Sequence, residues 1–193
     1  MKSTFFKAVF AAILAATAFS ASATVIDETL ANATGPDDGT SLVRQFNSPG
    51  AGAGLLTFDI KGLVTLDGEN CCTDIFTLAI NGVTLFSGTF DMGGGGNNVV
   101  YFTTPGVTVV STETYGLYEG GLTRFSVTHA LLAGMNSYSF TYSPLQGRED
   151  EGWKLQNAHV SGEVSSSNVP EPGSLALLGL ALAGIGAARR RKN

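Results

Sequence analysis

Between Thr24 and Asn168 the chain is written in short stretches where apolar and polar residues alternate, and none shows a sustained apolar period of 3.6. Ile75 to Asn81 puts Phe76, Leu78 and Ile80 on one face and Thr77 and Ala79 on the other. Arg124 to His129 aligns Phe125, Val127 and His129, and Tyr138, Phe140 and Tyr142 alternate with Ser139 and Thr141. These are period-2 strands with one face turned to a core. Leu55 to Leu66 predicts a further strand with a break at Lys61-Gly62, and Val99 to Thr103 and Val107 to Ser111 predict two more around Thr104-Pro105-Gly106. Asn81-Gly82 is a strong hairpin signal, because both centre positions of a type I′ turn need positive φ, and Val83 to Phe86 is the returning strand. Gly152 to Val164 closes the series.

The intervening segments read as loops. Thr24 to Gly54 is expected to be loops around one or two edge strands, given Gly35-Pro36-Asp37-Asp38-Gly39 and the run Pro49-Gly50-Ala51-Gly52-Ala53-Gly54. Gly93 to Asn98 is expected to be a flexible loop; neither Lys nor Ser/Thr follows at the spacing a phosphate cradle needs. Thr114 to Gly121 predicts a loop on a sheet edge. Many short strands without crossover helices imply an all-β domain, an antiparallel two-layer β-sandwich. Its core is expected to hold Phe58, Ile60, Phe76, Leu78, Ile80, Phe125, Val127, Phe140 and Trp153.

The two ends break this pattern. Lys2 and Lys7 flank the start of an apolar run, Ala8 to Phe19, which closes on Ala21-Ser22-Ala23, the layout of a secretory signal peptide cut before Thr24. At the other end stand Val169-Pro170-Glu171-Pro172, an uncharged run from Gly173 to Ala188, and then Arg189-Arg190-Arg191-Lys192. The prolines fix φ and keep any helix from running in from the preceding domain. Leu175 to Ala188 as a helix reaches roughly 21 to 24 Å, short against a hydrocarbon core of about 30 Å, so it is a marginal transmembrane helix. The basic cluster belongs on the cytoplasmic side, which places the domain outside. The expected division is therefore signal peptide 1–23, sandwich 24–164, polar linker 165–168 and tail 169–193.

In its order of Pro-Glu-Pro, short apolar helix and Arg-rich end, the tail resembles the PEP-CTERM sorting tail of Gram-negative bacteria. That resemblance implies export through the Sec translocon and transient anchoring in the inner membrane. It further implies recognition by an exosortase-type membrane peptidase, cleavage near Pro170-Glu171-Pro172, and passage to the cell surface or an extracellular matrix. A permanent tail anchor is the competing reading. The middle of the chain, Asp74-Ile75-Phe76 through Asn81-Gly82 and then Asp150-Glu151-Gly152-Trp153, looks like the jelly-roll sandwich ectodomains found upstream of such tails. Related sandwiches include carbohydrate-binding modules and lectins, some holding a structural calcium ion.

Formal charge over the chain is −5, but both ends are basic; from Thr24 to Ser167 five cations face fifteen acids, a net of −10. Such a surface repels phosphate backbones, which sets nucleic-acid partners aside. The only cysteines, Cys71 and Cys72, are adjacent. Consecutive Cα atoms about 3.8 Å apart make a vicinal disulfide strained and dependent on a turn, which Asp67-Gly68-Glu69-Asn70 can supply. A vicinal bridge, two free thiols and cross-linking between chains all remain open. His129 and His159 are the only imidazoles. No nucleophile elbow is present, and the histidines and cysteines make no zinc pattern. Carboxylates are concentrated in Glu149-Asp150-Glu151 and in a second acidic loop with Asp67, Glu69, Asn70 and Asp74, which could face the first. Two solvated loops on an acidic surface are one reading; because calcium takes six to eight oxygens, a structural calcium site drawing on Asp74, Asp150 and Glu151 is the other. Two function classes follow: a non-enzymatic surface or exopolysaccharide (biofilm) protein with a structural, adhesive or glycan-binding sandwich, or a secreted polysaccharide hydrolase. Tyr101, Tyr115 and Tyr118 are the aromatics on which a sugar would stack.

Overall fold

The computed structural model describes residues 23–166, 178–182 and 184–185. Ala23–Ser165 form one compact unit. Eleven strands and one helical turn follow in order: β1 (Ala23–Thr29), β2 (Ala33–Thr34), β3 (Leu42–Ser48), β4 (Gly50–Gly62), β5 (Ile75–Ile80), β6 (Val83–Thr89), β7 (Val99–Thr103), β8 (Val107–Thr114), β9 (Gly121–Leu131), β10 (Gly134–Ser143), α1 (Arg148–Glu151) and β11 (Trp153–Ser166). One sheet runs β1-β11-β4-β9-β8, with β2 also pairing β11; the other runs β3-β10-β5-β6-β7. The chain changes sheet on entering β3, β4 and β5 and again on entering β8, β10 and β11, with antiparallel neighbours throughout the registers. This is the double winding of a jelly roll.

All nine expected core residues are buried. Phe58 and Phe125, opposite each other in the β4–β9 register, stack at 4.7 Å. Across the sandwich Phe58 meets Phe140 edge-on at 5.1 Å and Phe125 meets Phe76 at 5.2 Å. Each such pair contributes roughly 0.5–1.5 kcal/mol beyond its burial, so this aromatic seam adds to the apolar core that ties the sheets together. Asn81 and Gly82 both have positive φ, 51° and 79°, as the hairpin turn requires.

Three expectations need correction. The glycine-rich run from Gly50 to Gly54 is not a loop but the first part of β4. There a Cβ on Gly52 would lie 2.0 Å from the Glu163 carbonyl oxygen, and one on Gly162 would lie 2.3 Å from that of Ala53. The small residues serve close approach of β4 and β11 rather than a turn. Thr24 to Gly54 therefore carries three strands and the start of a fourth. Second, Gly93 to Asn98 is a loop but is pinned: the amides of Gly93 and Gly95 donate to Asp91 Oδ1, and Gly68 N donates to Gly95 O at 2.8 Å. Third, β11 continues past Val164 to Ser166, and Ala23 already pairs with Ser165, so the strand takes up residues expected to be linker.

Candidate functional site

The loop between β4 and β5 is closed on itself. Asp67 N donates to Asp74 Oδ2 at 2.8 Å, and Asp74 N donates back to Asp67 O at 3.2 Å. Within it, Asn70 Oδ1 accepts from Cys72 N at 2.6 Å while Asn70 Nδ2 donates to Asp67 Oδ1 at 2.6 Å. Thr89 Oγ1 ties the Asp67 carbonyl to β6 at 2.7 Å, and Leu66 and Met92 exchange backbone hydrogen bonds. The helical turn α1 docks against the start of the same loop: Leu63 N donates to Gly152 O at 2.8 Å and Thr65 N to Asp150 O at 2.9 Å. Its position is fixed by Trp153 directly after it, fully buried, with Nε1 donating to Pro36 O at 3.1 Å. Gly35 is required beneath the indole, since a Cβ there would lie 1.8 Å from the ring.

These contacts bring three carboxylates together. One oxygen from each of Asp67, Asp74 and Glu151 lies within 4.8 Å of the others, and the residues are 8%, 1% and 1% exposed. Gly94 comes so close to this cluster that a Cβ on it would lie 2.6 Å from the Asp67 carboxyl carbon. Among the described residues the ion pairs are Arg124–Glu113, Arg148–Asp37 and His159–Asp27, and none reaches the cluster. Asp74 Oδ1 is buried without a hydrogen-bond partner, and so is the hydroxyl of Tyr142, whose partner Phe76 in the β10–β5 register lies two residues beyond Asp74. Burial pushes Asp74 up to about 7; the hydrogen bond from Asp67 N opposes this, while the charges of Glu151, Asp67 and Asp150 add to it. Burial also raises Glu151, against the hydrogen bond from Gln146 N.

Of the three expected calcium ligands, the structure brings Asp74 and Glu151 together and leaves out Asp150. Successive residues of a helical turn point about 100° apart, so Glu151 facing inward turns Asp150 aside. Its Oδ1 accepts instead from Thr65 Oγ1 at 2.7 Å. Asp67 takes the third place. The sequence put it in the facing acidic loop, but the Asp67–Asp74 clasp that turns it inward has no pattern to announce it.

Cys71 and Cys72 sit exposed on the turn of this loop as free thiols with Sγ atoms 2.8 Å apart. His129 is a core-edge residue as its alternation implied: Nδ1 lies 3.0 Å from Ala130 O, its ring meets Tyr138 edge-on at 5.4 Å, and burial lowers its pKa. His159 Nε2 lies 2.8 Å from Asp27 Oδ1. Tyr101, Tyr115 and Tyr118 are exposed, Tyr101 on edge strand β7 and the other two on the loop after edge strand β8. Ala23 lies in β1. Ala21, Val169, Pro170, Glu171, Pro172, Arg189, Arg190 and Arg191 fall outside the described residues. Residues 178–182 and 184–185 are helical, and no helix among the described residues is long and apolar enough to cross a membrane.

Comparison with known proteins identifies residues 168–192 as a PEP-CTERM protein-sorting motif. No curated protein matches the chain. Among solved structures, dimeric latent PorU from Porphyromonas gingivalis is similar at 14% identity and a TM-score of 0.43, over 80% of this chain and 15% of that one. The CBM35 from Cellvibrio japonicus Abf62 is similar at 13% identity and a TM-score of 0.35, over 76% of this chain and 99% of that one. Nothing about function follows from either likeness. The sorting motif itself marks the chain as an exosortase-sorted surface protein, exported and held at a membrane before release.

Proposed function

We propose that this chain is a non-enzymatic exported protein, delivered through the Sec translocon and cut from its inner-membrane tail by an exosortase-type peptidase. Its sandwich then serves a structural, adhesive or glycan-binding role at the cell surface or in an extracellular polysaccharide matrix. The observation that carries the reading is the sorting motif at residues 168–192, beginning two residues after the last residue of β11.

Two features favour a binder over a hydrolase. Glycoside hydrolysis needs two carboxyl groups flanking a sugar in a cleft. Asp67, Asp74 and Glu151 are buried instead, and a shallow recess of about 260 Å³ beside β2 and β11 is lined by Asn32, Ala33, Thr34, Lys154, Leu155 and Gln156, with no carboxylate. The exposed large apolar side chains include the consecutive Val100, Tyr101 and Phe102 of β7, 46–49% exposed, together with Tyr115, Leu117 and Tyr118. Aromatic faces at a sheet edge suit stacking on sugar rings or contact with another polymer.

Intact mass of the protein recovered outside the cell tests the sorting: loss of everything after the Pro170-Glu171-Pro172 region is expected, and a chain retained through Asn193 contradicts it. For the sandwich, Tyr101→Ala, Tyr115→Ala and Tyr118→Ala together are expected to weaken retention in the matrix with the fold intact. Sugar release from matrix polysaccharide by the purified protein would transfer the assignment to the hydrolase.

A further inference from the structure

We propose that Asp67, Asp74 and Glu151 form a calcium site that staples the β4–β5 loop to α1 and so locks one end of the sandwich. Three carboxylates converge with oxygens within 4.8 Å of one another, nearly excluded from solvent, and no Lys or Arg among the described residues pairs with them. Burying uncompensated carboxylates is costly unless a cation or hydrogen bonds offset it. The hydrogen bonds are incomplete. Asp74 Oδ1 has no partner although Asp74 is 1% exposed, and the Tyr142 hydroxyl, on the neighbouring strand, is equally orphaned. An unpartnered buried oxygen within a triad of carboxylates describes a coordination sphere short of its ion.

The donor set selects the cation. Every donor is a hard oxygen, which favours calcium or magnesium over zinc or copper. An ion centred among three oxygens no more than 4.8 Å apart lies at most about 2.8 Å from each, which admits the calcium–oxygen range of about 2.3–2.6 Å. Magnesium keeps several waters, for which a site this buried has little room. Bound bidentately, three carboxylates supply six oxygens, the lower end of the six to eight that calcium takes. The domain's net charge of −10 draws divalent cations to it.

The consequence is mechanical. Asp67 and Asp74 close the loop, Glu151 ends α1, and one ion touching all three joins segments about 80 residues apart in sequence, directly next to the Trp153 anchor. Calcium then reinforces a loop that hydrogen bonds already close, and the staple strengthens in calcium-containing surroundings.

Calorimetric titration of the purified full chain with calcium chloride, paired with melting curves in calcium and in chelator, tests this. One ion bound per chain is expected, with a rise in Tm of roughly 5–10 °C at hundredfold excess over the dissociation constant. Magnesium at the same concentration gives a smaller rise. Asp74→Asn is expected to abolish the calcium-dependent rise yet melt no lower than the unsubstituted chain in chelator, because it removes a buried charge that only the ion offsets. Should that variant fail to fold, Glu151→Gln carries the same expectation. A Tm indifferent to calcium, a larger response to magnesium, or undiminished calcium binding in the foldable variant overturns the proposal.

Discussion

The two ends of β5 handle buried polarity in opposite ways. Beyond Ile80 stands Asn81, whose side chain meets that of Asn136: Asn136 Oδ1 accepts from Leu132 N at 3.0 Å and from Asn81 Nδ2 at 3.2 Å, and its Nδ2 donates to Leu132 O and Gly134 O at 2.8 and 3.1 Å. Asn81 Oδ1 in turn accepts from Ser137 N at 2.8 Å. That end is neutral, and Asn136, though fully buried, lacks nothing. Before Ile75, roughly 20 Å away along a six-residue strand, stand Asp74 and the two carboxylates facing it, anionic and with an oxygen unpartnered. One chain that satisfies its buried polar atoms so fully at one end and leaves charge uncompensated at the other implies that the second end is completed from outside the polypeptide.

The largest effect expected from breaking this contrast lies at the neutral end. Asn136→Ala strands the Leu132 amide and carbonyl and the Asn81 side chain, and is expected to cost about 3 kcal/mol, the same in calcium as in chelator, by denaturant unfolding. At the acidic end, Gly94→Ala puts a methyl group against the Asp67 carboxylate without a backbone penalty, since Gly94 is not among the glycines of positive φ. It is expected to weaken calcium binding about tenfold by titration, or about 1.4 kcal/mol, with little change in chelator. Equal losses in both conditions would mean that Gly94 serves packing alone.

A smaller effect concerns pH. Burial lowers the folded-state pKa of His129, so between that value and about 6.5 the unfolded chain holds the extra proton. Stability is therefore full above about 6.5 and declines as pH falls through that window, a slope that His129→Gln is expected to flatten. Smallest of all, Cys71→Ser with Cys72→Ser changes two exposed thiols and is expected to shift stability by less than about 0.5 kcal/mol. A greater loss under non-reducing conditions would reveal a vicinal bridge that restrains the loop.

Much of the sandwich was legible because period-2 alternation survives in β5, β9 and β10, and the Asn81-Gly82 turn fixes the pairing of β5 with β6. Where glycine interrupts β4, composition suggested a loop; the close β4–β11 approach at Gly52 and Gly162 is a tertiary fact with no local trace. The acidic site was half legible. Asp74 and Glu151 stood out by the density of carboxylates around them, whereas the exchange of Asp150 for Asp67 depends on which side chain of a single helical turn faces inward. Tyr142 gave no sign, because its alternation marks it as core and the missing partner of its hydroxyl appears only in three dimensions.

The contrast between the ends is tested most directly by a crystal structure of the exported protein grown with calcium, with anomalous differences collected. A single peak is expected about 2.3–2.6 Å from oxygens of Asp67, Asp74 and Glu151, with none beside Asn136. Three carboxylates held only by hydrogen bonds to one another or to water, with no peak between them, would contradict the account.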